Sequence, residues 1–478
     1  MKQLKRSTPE EQGVNPAGIL AFLESLESDD ISSELHSFMM IRHGYVIAEG
    51  WADPYGPKDI HHLYSLSKSF TSTAIGLAVS EGLLSEADYL KDIFNDYLME
   101  PYQANMDLLQ VKHLLSMSGG QEYDMFASDL IGQNKDWAKV FLNTPIINKP
   151  GSVFAYNTGS TYMLSVILEK VAGEKLEDYL SSRLFQPLGF GEERWLTCPR
   201  RHNTGGYGLY LTTEDIAKFG LCYLNDGVFE DEQIVPSDWV KKATSAIIEN
   251  GNGEEEDFDW NQGYGYQFWR SKHNSYRADG AFGQFCIVMP EQDVVIVMTS
   301  GYKEMGNELD MVWKHILPAI DDSSLDQSEH QKTLQTYLEN MVAPYPNNNT
   351  DSKNVKEKRY ILDKKYYSFD RIGFELNGNK GVFKFFSRKS RIMIPFGMDH
   401  YEEGKFTLER TRETIVSRGA WTSENEFSIY IRYINTPHCD HLRLVFDGIR
   451  VTVTIDRNVS IAPYEQVVLS GELNKYSQ

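Results

Sequence analysis

The chain has 478 residues, of which 41% are hydrophobic and 12% aromatic, and it carries a formal net charge of -21. This length and apolar content predict at least two globular domains and exclude a largely disordered chain. The acidic balance argues against a nucleic-acid partner and against an anionic membrane surface, because both carry negative charge.

The first residues, MKQLKRSTPEEQGVNP, have a basic start but lead into no apolar run, so they predict no secretory leader. No run of about 20 apolar residues, the length that spans a bilayer, occurs further along the chain. These observations predict a soluble, cytoplasmic protein without a membrane partner. The cysteines are widely separated, which predicts small buried side chains rather than a zinc or redox site. They are Cys198, Cys222, Cys286 and Cys439.

Hairpin patterns stand near both ends of the first 320 residues, and the sequence between them is helical in period. The predicted hairpins are 37–42 with 45–50, and 285–289 with 294–298. The predicted helices are 69–79, 162–171 and 212–224. We therefore expect an α+β domain over residues 1–320, with an antiparallel sheet and a helical subdomain inserted at roughly residues 90–200.

The pattern changes after residue 320. Residues 321–355 predict a short polar helix and a linker that contains Pro344-Tyr345-Pro346. Residues 356–478 then alternate apolar and polar side chains with a period of two, which is typical of short strands. We expect a C-terminal all-β domain, either a barrel or a sandwich. The predicted strands are 382–385, 405–408, 427–431, 442–446 and 451–455.

The segment from Leu63 to Lys68 places Ser65 and Lys68 three residues apart. On a helix these side chains share one face. A serine hydroxyl is a weak nucleophile that needs a base within hydrogen-bond reach, and a desolvated lysine can help as one. At the start of a helix the Ser65 amide would also be available as half of an oxyanion hole. The pattern alone is short and arises often by chance.

Two companion segments strengthen this interpretation. Residues 150–159 place Tyr156 in a turn before a predicted helix, where a nearby lysine cation would favour partial ionisation and a role as general base. Residues 277–284 contain small side chains ahead of the late hairpin, which let a strand edge approach a substrate and present its amides. Taken singly, Tyr156 is better explained as a packed aromatic residue and 277–284 as an ordinary strand entry.

Together these segments resemble the β-lactamase-like serine hydrolases: class C β-lactamases, D-Ala-D-Ala carboxypeptidases, related esterases and 6-aminohexanoate-dimer hydrolases. The resemblance covers roughly residues 7–320 and follows the family's order. Its segments are Pro9-Glu10-Glu11-Gln12-Gly13, His36-Ser37-Phe38 with Arg42-His43-Gly44, residues 64–70, Val111 to Gly120, Pro150 to Gly159, and Gly205 to Leu209 with Thr212-Thr213-Glu214-Asp215.

The resemblance implies a β-lactamase/transpeptidase-like fold with the site at the junction of the sheet domain and the helical subdomain. It implies that Ser65 is the acylated nucleophile, Lys68 its activating partner and Tyr156 the general base. The backbone amides of Ser65 and of a residue near Ala281 would form the oxyanion hole. This chemistry uses neither metal nor organic cofactor, so none is expected.

Two departures from the family pattern bear on the substrate. The second motif reads Tyr156-Asn157-Thr158, so either Thr158 takes the usual asparagine's place or Asn157 serves in a shifted geometry. The third motif, usually Lys-Thr-Gly or His-x-Gly, is Ala278-Asp279-Gly280. The cation that would grip a β-lactam carboxylate is missing there and an acid is added, with Arg277 or His273 as possible substitutes.

These departures favour an esterase or amide hydrolase acting on a small-molecule substrate. The first alternative is a β-lactamase or a D-Ala-D-Ala carboxypeptidase. The second is a ligand-binding module that is acylated but does not turn over, which the altered second and third motifs would permit. The joint presence of Ser65, Lys68 and Tyr156 argues for catalysis, because a scaffold needs no such set.

Three weaker features complete the sequence. His61-His62 could border the pocket, although a buried strand-end pair explains them better. The aromatic residues between 260 and 269 could line an acyl pocket or belong to the core. The acidic run 254–257 predicts a solvated loop. The aromatic residues are Trp260, Tyr264, Tyr266 and Trp269.

Overall fold

The computed structural model describes residues 3–28, 31–98, 102–127, 136–251, 258–349, 354–408 and 411–474. The acidic run 254–257 and residues 350–353, at the end of the predicted linker, lie outside the described residues. Within the described ranges, no helix combines the length and the apolar character needed to cross a bilayer.

The three predicted helices are present: those at 69–79 and 162–171 extend by one to four residues beyond the predicted ends, and that at 212–224 begins one residue later. In chain order the α-helices are α1 (Pro16–Ser25), α2 (Ser67–Ser80), α3 (Leu90–Ile93), α4 (Val111–Leu115), α5 (Trp137–Asn143), α6 (Thr158–Ala172), α7 (Leu176–Leu180), α8 (Gln186–Leu188), α9 (Thr213–Leu224), α10 (Ser237–Ala243), α11 (Gly306–Met311) and α12 (Glu329–Glu339). Short 3₁₀ turns are Glu10–Gln12, Tyr64–Leu66, Met106–Leu108, Met125–Ala127, Asp259–Asn261, Pro290–Gln292 and Leu317–Ala319, and π-helical turns are Ser181–Phe185 and Val312–Ile316.

The strands fall into an N-terminal and a C-terminal group. The first group is β1 (Lys5–Arg6), β2 (Ser33–Arg42), β3 (Tyr45–Trp51), β4 (His61–His62), β5 (Arg194–Trp195), β6 (Leu209–Leu211), β7 (Val228–Phe229), β8 (Glu232–Gln233), β9 (Trp269–Arg270), β10 (Tyr276–Gly280), β11 (Gln284–Met289) and β12 (Val294–Tyr302). The second group is β13 (Val355–Tyr366), β14 (Phe369–Asn377), β15 (Lys380–Phe386), β16 (Arg391–Gly397), β17 (Glu402–Leu408), β18 (Thr411–Trp421), β19 (Glu426–Tyr433), β20 (Cys439–Asp447), β21 (Arg450–Arg457) and β22 (Val467–Leu473).

The central element of the N-terminal part is a seven-stranded sheet with the order β1-β3-β2-β12-β11-β10-β9. Both predicted hairpins are confirmed, as β2–β3 and β11–β12, and the two pair antiparallel through β2 and β12. Helices cover both faces: in β12, Val295 and Val297 pack in the core that includes α2 and α9, whereas Ile296 and Met298 pack with α1. Because both faces are buried, this strand is a continuous apolar run.

Helices α3 to α8 lie between the two hairpins of the sheet in chain order, and α6 packs directly against α2. The structure adds a small sheet that the sequence did not predict, with the order β4-β6-β5. Its strands have only two or three residues, too few to show a period in the sequence. This sheet brings the chain back from helices α3 to α8 to the segment just before Ser65, since His62 pairs with Tyr210.

The C-terminal group forms one ten-stranded antiparallel sheet, which a parallel bridge between Gly397 and Arg418 closes into a barrel. All five predicted strands lie inside observed strands. Large side chains fill the interior: the rings of Phe374, Phe396 and Phe427 pack with centroids 4.9 to 5.8 Å apart. Alternate side chains along each strand point into the barrel interior, which explains the period of two in the sequence.

A buried ion pair joins the barrel to the N-terminal sheet. The Nη1 atom of Arg432, on β19, donates to both carboxylate oxygens of Glu34, on β2, at 2.6 and 2.7 Å. Both side chains are fully buried. Arg432 also donates to the carbonyl oxygen of Pro344, and His36 lies 3.1 Å from Glu34. The charge-assisted contacts of Nη1 with both carboxylate oxygens and these extra hydrogen bonds offset the cost of removing two charges from water.

We expect Arg432→Ala to destabilise the protein by about 3–5 kcal/mol, because it leaves the Glu34 carboxylate buried without its cation. Urea denaturation followed by tryptophan fluorescence measures the change. The matched control is Lys170→Ala, which removes an exposed ion pair with Asp96 and should leave the midpoint unchanged. Equal midpoints for the two variants would contradict the structural role assigned to the Glu34–Arg432 pair.

Candidate active site

Ser65 and Lys68 lie next to each other, as their spacing predicts. Lys68 Nζ is 2.9 Å from Ser65 Oγ. The local structure differs from the expected α-helical start, because Ser65 lies in the 3₁₀ turn Tyr64–Leu66 and α2 begins only at Ser67. Tyr64 has φ +48°, a left-handed conformation that side chains other than glycine rarely adopt. A sharp turn therefore presents the Ser65 hydroxyl at the head of α2.

The Lys68 side chain is buried, with 1% of its surface exposed. Besides Ser65, its amine contacts the carbonyl oxygen of Gly206 at 2.7 Å and Thr158 Oγ1 at 3.4 Å. Burial lowers its pKa to about 7, against the opposing influence of Asp124 and Asp279. The lysine is thus partly neutral near pH 7, when an exposed lysine would be fully charged.

Tyr156 completes the group, because its hydroxyl is hydrogen-bonded to Ser65. Its ring stacks on Trp269 with centroids 5.3 Å apart and meets the Tyr264 ring edge-on at 6.3 Å. Lys68 Nζ lies 4.9 Å from the centroid of the Tyr156 ring. Burial raises the pKa of Tyr156 well above the ordinary value, reinforced by Asp279, which argues against the expected partial ionisation. Both effects favour the neutral phenol.

The structure distinguishes the two candidates that follow Tyr156. Thr158 begins α6 and directs its hydroxyl to Lys68, whereas the Asn157 side chain turns away and donates to the carbonyl oxygen of Tyr123 at 3.4 Å. The Asp124 carboxylate accepts from the amides of Thr158 at 2.7 Å and Gly159 at 3.4 Å. An acid at the positive end of a helix is favourable, so Asp124 fixes the position of Thr158.

The end of β10 lies against the segment that precedes Ser65. A Cβ atom on Gly280 would stand 2.0 Å from the carbonyl oxygen of Leu63, so only glycine allows this approach. The neighbouring Asp279 is buried and accepts from Arg277 Nε and from Trp260 Nε1, both at 3.0 Å. Arg277 is itself fully buried and points into this ion pair. Arg277 is therefore not placed to bind a substrate carboxylate. It does not replace the missing cation of the third motif, a role that the sequence had left open for it.

A buried network holds the turn at residues 281–283. Gln284 Nε2 donates to the carbonyl oxygens of Ala281 and Phe282 at 3.1 and 3.0 Å. Glu308 packs beneath Gly283, whose φ is +84°, and accepts from Ser300 Oγ at 2.7 Å. Burial raises the pKa of Glu308 to about 8, so it is largely protonated at neutral pH. These contacts fix the backbone that follows Gly280.

The histidine candidates and Tyr266 lie outside the site. His61 and His62 are buried on β4, and the His62 ring stacks on Tyr210 at 4.7 Å, which confirms the strand-end interpretation. His273 is exposed and packs near Trp313, so it is not a substitute cation at the end of β10. Tyr266 hydrogen-bonds to Glu86 at 2.8 Å and belongs to the core rather than to the site.

The four cysteines are all buried and free, as expected. In the part of the chain that the structure describes, no three histidine, cysteine or acidic side chains are grouped closely enough to hold a metal ion.

Asp124 and Gln284 support the site but were not identified in the sequence. Asp124 reaches Thr158 across 34 residues, and no local spacing signals such a contact. Gln284 directly follows the turn Gly280-Ala281-Phe282-Gly283 and is the first residue of a buried, otherwise apolar strand. A polar side chain at such a position must find buried hydrogen-bond partners, and this was the signal in the sequence that could have identified it.

A serine at the head of a helix, hydrogen-bonded to a buried lysine and to a tyrosine, in a domain whose sheet is flanked by helices, defines the class of β-lactamase-fold hydrolases. The Beta-lactamase family model matches residues 36–317. That span is more than half of the chain, and the protein belongs to the beta-lactamase family.

Individual relatives agree with this assignment. A 6-aminohexanoate-dimer hydrolase of Paenarthrobacter ureafaciens is 24% identical over 319 residues, which are 62% of this chain and 80% of that protein. A penicillin-binding protein of Bacillus subtilis is 26% identical over 193 residues, which are 39% of each chain. The octameric penicillin-binding protein homologue of Pyrococcus abyssi has a similar fold, with a TM-score of 0.52 and 17% identity over 95% of this chain and 99% of that one.

Proposed function

We propose that the protein hydrolyses an ester or amide of a small molecule through an acyl-enzyme on Ser65. Lys68 accepts the Ser65 proton as Oγ attacks the carbonyl carbon. The tetrahedral intermediate then expels the alcohol or amine, which leaves with a proton relayed through Lys68 and Tyr156. Water, activated by the same pair, later releases the acid and restores Ser65.

The observation that carries this proposal is the hydrogen bonding of Lys68. A neutral amine has two N–H donors and one lone pair. Lys68 Nζ lies 2.9 Å from Ser65 Oγ and also contacts Gly206 O and Thr158 Oγ1. When the amine is neutral, donation to Gly206 and Thr158 uses both N–H groups, and the lone pair is left to accept from Ser65. The pKa of about 7 makes this neutral form abundant near physiological pH. Gly206 O and Thr158 Oγ1 thus hold the neutral amine in an orientation that directs its lone pair to the Ser65 hydroxyl.

We assign the oxyanion hole to the backbone amides of Ser65 and Ala281. Ser65 lies at the head of α2, where the helix dipole favours negative charge. Ala281 follows Gly280, whose contact with Leu63 places the end of β10 beside the nucleophile. Gln284 holds the Ala281 carbonyl, and with it the peptide plane that carries the Phe282 amide, so the backbone is fixed on the C-terminal side of Ala281. Two such donors are the usual means of stabilising a tetrahedral intermediate.

The relative that hydrolyses 6-aminohexanoate dimers supports amide or ester cleavage for this chain. The electrostatics of β10 argue in the same direction. A β-lactam or D-Ala-D-Ala substrate carries a carboxylate, and here the third-motif position holds Ala278 and the buried acid Asp279. Arg277, the nearest cation on the strand, is already paired with Asp279. An anionic substrate would meet no free cation from this strand.

We expect a fluorophosphonate probe to add one adduct to the wild-type protein and none to Ser65→Ala, because only an activated serine attacks the phosphorus. Intact-mass spectrometry gives the stoichiometry. Ser67→Ala is the matched control, since Ser67 lies two residues away and its hydroxyl accepts from the Leu209 amide rather than facing Lys68. It should label as wild type does.

Equal labelling of Ser65→Ala and wild type would contradict the assigned nucleophile. Turnover then separates the alternatives. Rapid release of p-nitrophenol from short-chain esters, together with slow cleavage of a chromogenic cephalosporin, is the expected pattern. The reverse pattern would favour a β-lactamase or carboxypeptidase, and stoichiometric labelling without turnover of any ester or amide would favour a ligand-binding module.

The pH dependence of labelling should report Lys68. Its neutral form is the base, so the rate constant should rise with pH, with a midpoint near the pKa of about 7. Below that midpoint the rate should fall about tenfold per pH unit, in proportion to the neutral fraction. Lys68→Arg should reduce the plateau rate by about 10²- to 10⁴-fold, because a guanidinium stays charged. A flat profile between pH 6 and 8 would contradict lysine as the base.

A further inference from the structure

The loop between β19 and β20 of the barrel reaches the chain just before the nucleophile. The carbonyl oxygen of Asn435 accepts from the His62 amide at 2.9 Å, and its side chain donates to the carbonyl oxygen of Ile60 at 2.7 Å. Three residues further, His438 Nε2 lies 3.0 Å from the hydroxyl of Tyr64, the neighbour of Ser65. The C-terminal barrel therefore contacts the nucleophile segment through both backbone and side chains.

The hydrogen bonds of His438 set its tautomer. Nδ1 lies 3.1 Å from the carbonyl oxygen of Val459, which can only accept, so Nδ1 carries the proton. Burial lowers the pKa of His438 to about 4, which keeps the ring neutral. Nε2 is then a bare acceptor, and the Tyr64 hydroxyl donates to it. The Val459 carbonyl thus orients His438 for one specific contact with the other domain.

Tyr64 in turn contacts the residue that follows Ala281. The Tyr64 and Phe282 rings meet edge-on, with centroids 5.2 Å apart and planes at 87°. The His438 ring lies 6.1 Å from Phe282 and 6.4 Å from Tyr64, so the three rings form one cluster. Tyr64 and Phe282 have φ values of +48° and +70°. Such backbone costs free energy and persists only where its surroundings hold it in place.

We propose that His438 is a positioning residue for acylation, which acts through the cluster of Tyr64, Phe282 and His438. Each of the two strained residues is the direct neighbour of an amide assigned to the oxyanion hole: Tyr64 precedes Ser65, and Phe282 follows Ala281. By fixing the Tyr64 ring, His438 fixes the separation of these two amides. The barrel is in this way part of the catalytic architecture. The inference rests on the proposed function.

The oxyanion hole acts on the transition state more than on the bound substrate, which predicts how the loss of His438 should appear. A displacement of about 1 Å in such a site costs on the order of 10²-fold in rate. Loss of the Tyr64–His438 hydrogen bond should therefore lower kcat and the fluorophosphonate labelling rate by about 10- to 100-fold. KM should stay within about twofold, because substrate binding does not depend on these amides.

The experiment compares full-length wild type with Tyr64→Phe, His438→Ala, their double variant and His438→Gln. Steady-state hydrolysis of p-nitrophenyl acetate gives kcat and KM, and the labelling rate gives acylation directly. Both single variants should lose activity to the same extent, and the double variant should lose no more than either single one. His438→Gln should restore most of the rate, because its side-chain carbonyl can accept from Tyr64.

The matched control is His441→Ala, a barrel histidine that contacts Ser428 and Tyr430 and does not face Tyr64. It should keep the wild-type rate. If His438→Ala fails to fold, Tyr64→Phe alone decides, since it removes only the hydroxyl. Three results would overturn the positioning role: a wild-type kcat in Tyr64→Phe, multiplicative losses in the double variant, or an equal loss in His441→Ala. If the wild-type protein is still labelled at Ser65, the proposed function is unaffected by these results. Absence of labelling in wild type would overturn the proposed function and this inference together.

Discussion

The central constraint in this molecule is a lysine amine that is buried beside a serine with no carboxylate in ion-pair contact among the described residues. A buried ammonium without a counter-ion is costly, so the site favours the neutral amine. The elements around Lys68 meet this constraint: α2 carries it, α6 supplies Thr158, and the chain before β6 supplies the Gly206 carbonyl. Helix α2 packs on the seven-stranded sheet, α6 belongs to the group of helices α3 to α8, and Gly206 lies in the segment that leads from those helices to β6.

The constraint also explains why the aromatic residues lie where they do. Tyr264 and Trp269 pack on Tyr156, whose burial favours the protonated phenol, and the Tyr156 ring in turn lies 4.9 Å from Lys68 Nζ. Asp279 would raise the pKa of Lys68 further if it were unpaired, because an anion favours the charged amine. Its ion pair with Arg277 limits that effect. Burial of the site and the ion pair of Asp279 with Arg277 thus both favour a lowered pKa for Lys68.

Much of this could be predicted from local sequence. The spacing of Ser65 and Lys68, together with the companion segments around Tyr156 and residues 277–284, predicted the pair, and alternation predicted the barrel strands, because these signals each arise within a few residues. The contacts of Asp124 with Thr158 and of His438 with Tyr64 span 34 and 374 residues, and no short pattern encodes them. The choice between Asn157 and Thr158 depended on where α6 begins, and helix ends are poorly defined by sequence.

A crystal structure of the protein after reaction with a fluorophosphonate tests the proposed mechanism most directly. The mechanism predicts phosphorus bonded to Ser65 Oγ, with one phosphoryl oxygen about 2.7–3.1 Å from the amide nitrogens of both Ser65 and Ala281. It also predicts Lys68 Nζ next to Ser65 Oγ and the Tyr64–His438 contact intact. An adduct on another residue, or a phosphoryl oxygen directed away from both amides, would contradict it.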